Sequence, residues 1–379
     1  MSHHSSNSPR ESISQARRIV VKIGSSSLSS REGGLKHNAI EVLAQAVAAR
    51  RAQGHQVIVV SSGAISTGMP ALNLTKRPKD LATQQAAASV GQGILLAAYT
   101  SAFREHGITV GQVLLTSDDV TRRSHYRNAQ RTFDRLLDLN VLPIVNENDT
   151  VATDEIRLGD NDRLAALVAH VTNAEALVLL SDVDGLYDGP PHRAGSIHIP
   201  EVSHHSELES MRIGGIGAEG VGSGGMATKV QAARIASAAG VPTLLAATAN
   251  IEAALGDAST GTAFAATGRR SSLRLLWLQH ATTPTGSVTV DAGAVAALVD
   301  RRLSLLPAGI TQVTGTFVAG EPVDICGPDG VPFARGLVTY DSGELPEIIG
   351  RNTKELAAER GEAYEREVIH RDDLVITDR

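Results

Sequence analysis

From Arg18 onward the chain repeats a short run of β-branched and aliphatic residues, a loop of glycine and serine, and an alanine- and leucine-rich stretch with helical spacing. The first run, Arg18–Ile23, predicts a buried strand, and residues 38–53 predict a helix with Asn38 as its N-cap. Strands that alternate with helices pair in parallel through crossover connections, so the pattern predicts an α/β fold whose mainly parallel sheet is sandwiched by helices. Further strands are predicted at 57–60, 109–115, 141–145, 176–180 and 241–245, and further helices at 83–106, 124–139, 161–171 and 226–239.

The pattern changes after Gly268. From Gly286 short β-like pieces are separated by turns that are rich in glycine and proline, such as 327–330, and this predicts a second, small, mostly β domain. A length of 379 residues agrees with two domains. We divide the chain into a disordered N-terminus (1–14), an α/β domain (15–268), a linker (269–285), a small mostly β domain (286–364) and a C-terminal tail (365–379).

Composition narrows the class of protein. Hydrophobic residues make up 42% and charged residues 20% of the chain, which is typical of a globular protein and argues against global disorder. The net charge of −6 provides no overall basic field for nucleic acid or an anionic membrane. The single cysteine, Cys326, excludes an intramolecular disulfide and favours a reducing compartment, the cytoplasm. The polar N-terminus and the lack of a long apolar run argue against secretion and membrane insertion.

In open α/β sheets ligands bind beyond the carboxyl ends of the strands, so the loops that follow the strands are the places to look for chemistry. Lys22 interrupts an apolar strand end, and the small-residue loop 24–27 follows it. A phosphate would find N–H donors and a positive charge there, although a lysine that snorkels above a solvated turn gives the same pattern. The Ser/Gly turn 61–65 lets the backbone approach a ligand, a property that many βα turns share.

Two later regions contain more of the residue types that bind ligands. Segments 146–149 and 159–163 hold four carboxylates and three amides, which suit an amino acid or a hydrated metal; helix capping by Asp160 or Asn161 is the alternative. The glycine-rich loop 220–229 opens a helix and places Lys229 in its first turn. Since a lysine there opposes the helix dipole unless a bound anion offsets it, this loop favours a phosphate site over a flexible surface loop.

Other motifs carry less weight. Two G-x-G-x-x-G strings, 215–220 and 220–225, lack the preceding strand that a dinucleotide-binding fold requires. The sequence contains no G-x-x-x-x-G-K-[ST], which argues against a P-loop kinase. The histidines between residues 192 and 205 have no carboxylate or cysteine spacing that would indicate a metal site.

In their order along the chain, the loops resemble those of the amino-acid kinase family, and within it the members that phosphorylate the γ-carboxylate of L-glutamate. Ser25 and Ser181 stand where many relatives have threonine, which keeps the hydroxyl group. The C-terminal domain resembles a PUA domain through 289–291, 304–310 and 315–321. The segments that carry the kinase resemblance are 20–25, 61–65, 145–149, 159–162, 181–187 and 222–229.

The resemblance implies a kinase that uses ATP and Mg²⁺ to form γ-glutamyl 5-phosphate, the first step of proline biosynthesis. It implies that Lys22 and Lys229 neutralise charge on the transferred phosphoryl group and that Asp162 holds both lysines. Because the acceptor carboxylate is already ionised at neutral pH, no general base is required. Feedback inhibition by proline and a homo-oligomer are further implications, while no metal ligand is indicated. The implied glutamate contacts are Ser62, Asp149 and Asn161, supported by Asp160, and the implied ATP contacts are Lys22, Gly24, Ser181, Asp182, Ser223, Gly224, Gly225, Met226, Ala227, Thr228 and Lys229.

Two alternatives remain open at this point. The same fold family includes kinases of N-acetylglutamate, aspartate, carbamate and UMP, so the choice of acceptor depends on the finer motifs and on the C-terminal domain. An RNA-binding protein is the alternative from another class, because PUA domains elsewhere contact RNA. Residues 286–364 contain six Lys and Arg against eleven Asp and Glu, a net charge of −5 that disfavours binding to a phosphate backbone. A regulatory or architectural role is the expectation for this domain.

Overall fold

The computed structural model describes residues 8–29, 34–116, 119, 123–151, 161–190, 193, 195–204, 225–267, 278, 284–361 and 364–377. The chain divides into two compact units, Met1–Leu273 and Arg274–Arg379. The boundary falls inside the segment 269–285 that the sequence predicts as a linker.

Helices and strands alternate along the first unit. Its helices are α1 (Pro9–Gln15), α2 (Ser25–Leu28), α3 (His37–Ala52), α4 (Ala64–Gly68), α5 (Leu81–Arg104), α6 (Arg123–Asp138), α7 (Asn161–Val171), α8 (Met226–Ala238) and α9 (Ile251–Leu255). Its strands are β1 (Arg18–Ile23), β2 (Gln56–Val60), β3 (Val110–Leu115), β4 (Leu142–Glu147), β5 (Ala176–Ser181), β6 (Leu186–Tyr187), β7 (His198–Ile199), β8 (Glu201–Val202), β9 (Thr243–Ala247) and β10 (Thr262–Phe264).

Within the described residues, the main sheet has eight strands in the order β3-β4-β2-β1-β5-β9-β10-β8. Every neighbouring pair is parallel except β9 and β10, so the prediction of a mainly parallel sheet between helices is confirmed. Central strands such as β5 are buried along their whole length, since helices cover both faces of a parallel sheet. This burial on both faces explains why these strands are continuous apolar runs in the sequence.

Several predicted boundaries differ from the structure by one or two residues, and two of them have an identifiable physical cause. Helix α3 begins at His37, and the N-cap position belongs to Lys36 instead of Asn38 and has no side-chain capping bond. The entry to this helix is fixed by the backbone, because the Lys36 N–H donates to the Leu28 carbonyl at 2.7 Å. Strand β4 runs two residues further than predicted, through Asn146 and Glu147, because both polar residues continue the pairing with β3.

The N-terminus contains a helix where the sequence predicts disorder. The Ser8 side chain caps α1 by accepting a hydrogen bond from the Glu11 N–H at 3.2 Å, and Pro9 occupies the first turn. Ile13 is buried, and Arg10 donates to the Pro200, Thr260 and Gly261 carbonyls at 2.7–2.8 Å. For residues 9–14 the prediction of disorder is therefore wrong. The long-range partners of Arg10 could not be inferred from a short polar segment.

Helix α5 is the longest described helix of the unit. Among the described residues it is the one helix that is long and apolar enough, by length and composition, to cross a membrane. Half of its most apolar window is buried inside the unit, as in the core helix of a soluble protein. Its buried side chains include Tyr99 and Phe103, and they join the hydrophobic core beneath the sheet.

The second unit is small and mostly β. Its described sheet has five strands in the order β12-β11-β13-β14-β15, in which β11 and β13 are parallel and the other neighbours antiparallel. Val288, Ile325 and Tyr340 lie in a separate hydrophobic core. The elements are β11 (Gly286–Val290), α10 (Ala292–Val299), β12 (Ile310–Gly315), β13 (Pro322–Cys326), β14 (Pro332–Leu337), α11 (Thr353–Arg360) and β15 (Leu374–Ile376).

The segment that the sequence analysis assigns to a C-terminal tail, 365–379, is part of this unit. Strand β15 pairs with β14, with Ile376 opposite Ala334. Val368 and Ile369 are fully buried, and Leu305 exchanges backbone hydrogen bonds with both of them. The predicted end of the second domain at residue 364 is therefore too early, because the last strand is too short to give a periodic signal.

Candidate active site

Four parallel strands end at the same edge of the main sheet. Strands β4, β2, β1 and β5 are neighbours in that order, so their carboxyl ends lie side by side. Lys22 is the next-to-last residue of β1, Ser61 and Ser62 follow β2, Asn146 and Glu147 end β4, and Ser181 ends β5. The polar residues that interrupt apolar strand ends in the sequence thus lie along one edge, where α/β proteins bind ligands.

One carboxylate joins two lysines at this edge. Asp162 lies in the first turn of α7 with no exposed surface. Lys22 Nζ forms an ion pair with its Oδ1, and Lys229 Nζ lies 3.2 Å from its Oδ2. Both lysines are themselves buried, at 3% and 7% exposure. Thr228 Oγ1 also donates to Oδ2 at 3.2 Å. The structure therefore brings together the three residues expected to be catalytic.

The charges at this cluster do not cancel. Burial of Asp162 favours its neutral form, but the charges and hydrogen bonds of Lys22 and Lys229 outweigh burial and hold the pKa of Asp162 below its usual value. The carboxylate is therefore ionised at neutral pH. Since two ammonium groups share this single carboxylate, the three side chains together carry a net positive charge that suits a phosphoryl group.

Asn161 connects the loops that follow β2 and β4. Its Nδ2 donates to the Ser61 carbonyl at 2.9 Å, to Ser62 Oγ at 3.2 Å and to Asn146 Oδ1 at 2.8 Å. Asn146 Oδ1 also accepts from the Glu147 N–H at 3.0 Å. Asn161, which is expected to bind the substrate, therefore also links the loop that follows β2 to the end of β4.

Two buried polar atoms in this network have no hydrogen-bond partner within the part of the chain that the structure describes. They are the Oδ1 of Asn161 and the Nδ2 of Asn146, one an acceptor and the other a donor. A buried polar group without a partner costs free energy, so such atoms are typical of a site that a polar ligand completes. An amino acid, which carries both a carboxylate and an ammonium group, supplies both missing partners.

A second group of residues lies across β1, on the side of β5 and β9. Ser181 Oγ donates to Asp182 Oδ1 at 3.0 Å, and the Ser181 carbonyl accepts from Thr248 Oγ1 at 3.0 Å. Ser181 is buried, whereas Asp182 is exposed. A Cβ placed on Gly24 would lie 3.8 Å from Lys22 Nζ, so the Gly24 backbone is adjacent to the lysine ammonium group.

Helix α8 brings the end of the glycine-rich segment, from Gly225 to Lys229, to the same edge. Gly225 is its N-cap and makes no side-chain capping bond, and Met226 and Ala227 begin the helix at least partly exposed. Lys229, in the first turn, points to Asp162 and not to solvent. The start of a helix beside buried lysines is a typical position for a bound phosphate group.

Some predicted site residues have no described position. Asp160, Ser223 and Gly224 lie outside the described residues. Asp149 lies half-buried in the turn after β4, two residues beyond Glu147. Asn146 lies in a motif that the sequence singles out but has no individual role there, and Thr228 is expected to contact ATP, not Asp162. Their spacing gave no means of foreseeing that Asn146 meets Asn161 or that Thr228 meets Asp162.

The described residues do not form a metal site of their own. Among them no group of three or more His, Cys, Asp or Glu side chains is close enough to hold a metal ion. The Asp162 carboxylate is already engaged by two ammonium groups and a hydroxyl group.

Comparison with known proteins gives consistent matches. The model of the amino acid kinase family matches residues 17–246, and the PUA domain model matches residues 286–359. A glutamate 5-kinase of Streptomyces avermitilis is 58% identical over 368 residues, which cover 97% of this chain and 98% of that protein. A glutamate 5-kinase of Salinispora arenicola is 57% identical over 367 residues, with 97% and 100% covered. Among solved structures, a carbamate kinase of Giardia lamblia bound to AMP-PNP is 19% identical, with a TM-score of 0.49 over 66% of this chain and 99% of that one.

Proposed function

The chain belongs to the amino acid kinase family, within the glutamate 5-kinases, and we propose that its lysine–aspartate cluster transfers the γ-phosphoryl group of ATP to the γ-carboxylate of L-glutamate. The product is γ-glutamyl 5-phosphate, the first intermediate of proline biosynthesis. The observation that carries this mechanism is the buried Asp162 carboxylate between Lys22 and Lys229.

Catalysis in this proposal rests on position and charge. The acceptor carboxylate is ionised at neutral pH and needs no base, so the protein has only to align it with the γ-phosphorus and stabilise the transferring group. Lys22 and Lys229 face the negative charge that spreads over the phosphoryl oxygens. Asp162 fixes both ammonium groups in advance, so no reorganisation is required when the charge develops.

The acceptor half of the site is formed by Ser62, Asp149 and Asn161, with Asp160 in support. The free Asn161 Oδ1 and Asn146 Nδ2 offer one acceptor and one donor to the amino acid. Asn161 is held by three hydrogen bonds, which pre-orient its side chain before substrate arrives. This network fits an acceptor that brings an N–H donor and a carboxylate oxygen, as L-glutamate does.

The nucleotide half is formed by Gly24, Ser181, Asp182 and residues 223–229. Support comes from the start of α8, where Lys229 pairs with Asp162, and from the position of Gly24 beside Lys22. Mg²⁺ is proposed to accompany ATP with the phosphate oxygens as its ligands, where it would neutralise phosphate charge. Each lysine acts on the phosphoryl group directly.

Inhibition by proline is a further part of the proposal. Proline shares the α-carboxylate and the α-nitrogen of glutamate but has no γ-carboxylate to phosphorylate. The acceptor network of Asn146 and Asn161 can therefore bind the shared groups without a reaction, which predicts that proline raises the apparent KM for glutamate. A homo-oligomer, a cytoplasmic location and a regulatory or architectural PUA domain complete the proposal, and sedimentation equilibrium tests the first of these.

A panel of acceptors tests the function directly. The purified chain is incubated with ATP, Mg²⁺ and hydroxylamine, which traps an acyl phosphate as a hydroxamate, and with L-glutamate, N-acetylglutamate or L-aspartate in parallel. Hydroxamate with L-glutamate alone, reduced by added proline, is the expected result. Product only with another acceptor would keep the phosphate site and overturn the choice of substrate.

A further inference from the structure

Helix α5 approaches the acceptor half of the site more closely than side chains permit. A Cβ on Gly91 would lie 1.8 Å from the Ala64 carbonyl oxygen, and a Cβ on Gly68 would lie 2.0 Å from the Ala87 carbonyl oxygen. Helices α4 and α5 therefore cross backbone against backbone, which requires glycine on both sides. Helix α4 begins directly after the turn of Ser62 and Gly63, so this crossing sets the position of the turn.

The next residue of α5 reaches the other acceptor loop. Gln92 is buried, and its Nε2 donates to the Glu147 carbonyl at 3.4 Å. Glu147 ends β4, two residues before Asp149. Gln112, on β3, donates to Gln92 Oε1 at 3.4 Å and so fixes the side chain from the other side.

Two turns further along α5, a tyrosine reaches the β2 loop again. The Tyr99 hydroxyl group lies 2.9 Å from Ser61 Oγ, and Tyr99 has no exposed surface. Burial raises the pKa of Tyr99, so its hydroxyl group stays protonated. Gly91, Gln92 and Tyr99 lie on one face of the helix, since residues separated by seven or eight positions return to the same side.

We infer that α5 is the positioning element of the acceptor half, and that Gly91, Gln92 and Tyr99 are positioning residues for the amino-acid substrate. This inference rests on the proposed function of the site. None of the three residues is assigned a contact with substrate; each acts through Ala64, Glu147 or Ser61 on the loops that carry Ser62 and Asp149. The groups that hold the phosphate, Lys22, Asp162 and Lys229, belong to β1, α7 and α8, which are other elements.

Because α5 supports the acceptor loops and not the residues that hold the phosphate, a disturbance of α5 should weaken the use of L-glutamate and leave the use of ATP largely unchanged. A displacement of about 1 Å at a reacting group can cost about a hundredfold in rate, because the near-attack geometry is lost. Adding a methyl group at Gly91 must shift the Ala64 backbone by more than that to restore ordinary contact distances. We expect the Ser62 turn to move with it, whereas the ion pairs of Asp162 with Lys22 and Lys229 involve no residue of α4 or α5.

The test uses two pairs of variants of the full-length chain. Gly91→Ala adds a methyl group at the helix crossing, and Gly93→Ala adds the same group to the exposed side of the same helix, where no atom lies within 4 Å. Tyr99→Phe removes only the hydroxyl group that meets Ser61, and Tyr340→Phe removes one from an equally buried tyrosine of the second unit. For each variant the KM for L-glutamate, the KM for ATP, kcat and Tm are measured.

Gly91→Ala is expected to raise the KM for glutamate about tenfold or more and to change the KM for ATP less than about threefold. Tyr99→Phe should also raise the KM for glutamate relative to the KM for ATP, by a smaller factor than Gly91→Ala. Gly93→Ala and Tyr340→Phe should keep the wild-type values of both. Equal changes in both KM values, or a wild-type KM for glutamate in Gly91→Ala, would overturn the inference. If Gly91→Ala fails to fold, Tyr99→Phe decides by the same ratio. A wild-type chain without glutamate-dependent turnover would instead refute the proposed function.

Discussion

Lys229 Nζ lies 3.2 Å from Asp162 Oδ2, although 67 positions separate the two residues in the sequence. Asp162 lies in the first turn of one helix and Lys229 in the first turn of another, so the ion pair joins the starts of α7 and α8. Lys22 approaches the same carboxylate from β1. One buried anion thus fixes two cations that come from separate parts of the sheet edge. We therefore expect the stability of the unit and its proposed chemistry to depend on the same carboxylate.

Replacing Asp162 by asparagine tests the contribution of Asp162 to the stability of the fold. Asp162→Asn leaves two buried ammonium groups without their anion, and breaking such a buried pair typically costs about 3–5 kcal/mol. We expect the free energy of unfolding, measured with urea, to fall by about that amount. Asp134→Asn is the matched control, because it breaks the pair with Arg18 in which the carboxylate side chain is 45% exposed, and it should cost no more than about 1 kcal/mol. Equal losses in the two variants would contradict the role of Asp162.

The pH dependence of this loss has a definite sign. The folded protein holds the pKa of Asp162 below its usual value, so Asp162 stabilises the fold above the unfolded pKa of about 4 and loses this effect as the pH falls further. The difference in unfolding free energy between wild type and Asp162→Asn should therefore be constant between about pH 6 and 8 and shrink only below about pH 4. A difference that shrinks with rising pH over the neutral range would contradict this assignment.

Asn161 should discriminate between the two substrates. Asn161→Ala removes the donor to Ser61, Ser62 and Asn146 and also the buried Oδ1, which has no hydrogen-bond partner within the described residues. We expect the KM for L-glutamate to rise about tenfold or more, which corresponds to about 1.4 kcal/mol or more of lost binding, with a smaller change in the KM for ATP. Asn128→Ala, on the exposed side of α6, is the control and should match wild type. An unchanged KM for glutamate in Asn161→Ala would remove this residue from the substrate site.

The second unit should not bind RNA with appreciable affinity. Its sequence from 286 to 364 carries a net charge of −5, and binding to a phosphate backbone depends on positive charge. Filter binding of the full-length chain to a random single-stranded RNA at physiological salt should give no saturable signal.

A chain ending before residue 286 should keep glutamate-dependent turnover and change in its response to proline or in its assembly. Loss of RNA affinity as the sole effect of this truncation would contradict the proposed role.

Much of the site could be predicted from strand ends. Lys22 breaks an apolar strand, and Lys229 stands in a first helical turn where it is unfavourable without an anion, so both are local anomalies that a sequence exposes. The residues of α5 that position the loops of Ser62 and Asp149 show no such anomaly in the sequence. Gly91 and Tyr99 lie within an ordinary helical pattern, and helical spacing says which residues share a face but not which element that face contacts. The pairing of β15 with β14 was missed for the same reason, because it depends on a partner distant in sequence. The capping of α1 by Ser8 is local, three residues from Glu11, and is a signal that the sequence does carry.

The most direct test of the account is the turnover number of Lys229→Met. Methionine keeps most of the side-chain volume and removes the positive charge that faces the phosphoryl group. We predict that kcat falls about a hundredfold or more while the affinity for ATP, measured separately by calorimetry, changes much less. Lys79→Met, at an exposed position of the same unit, serves as the control and should retain wild-type turnover. Near-normal kcat in Lys229→Met would contradict the claim that Asp162 holds this lysine for phosphoryl transfer.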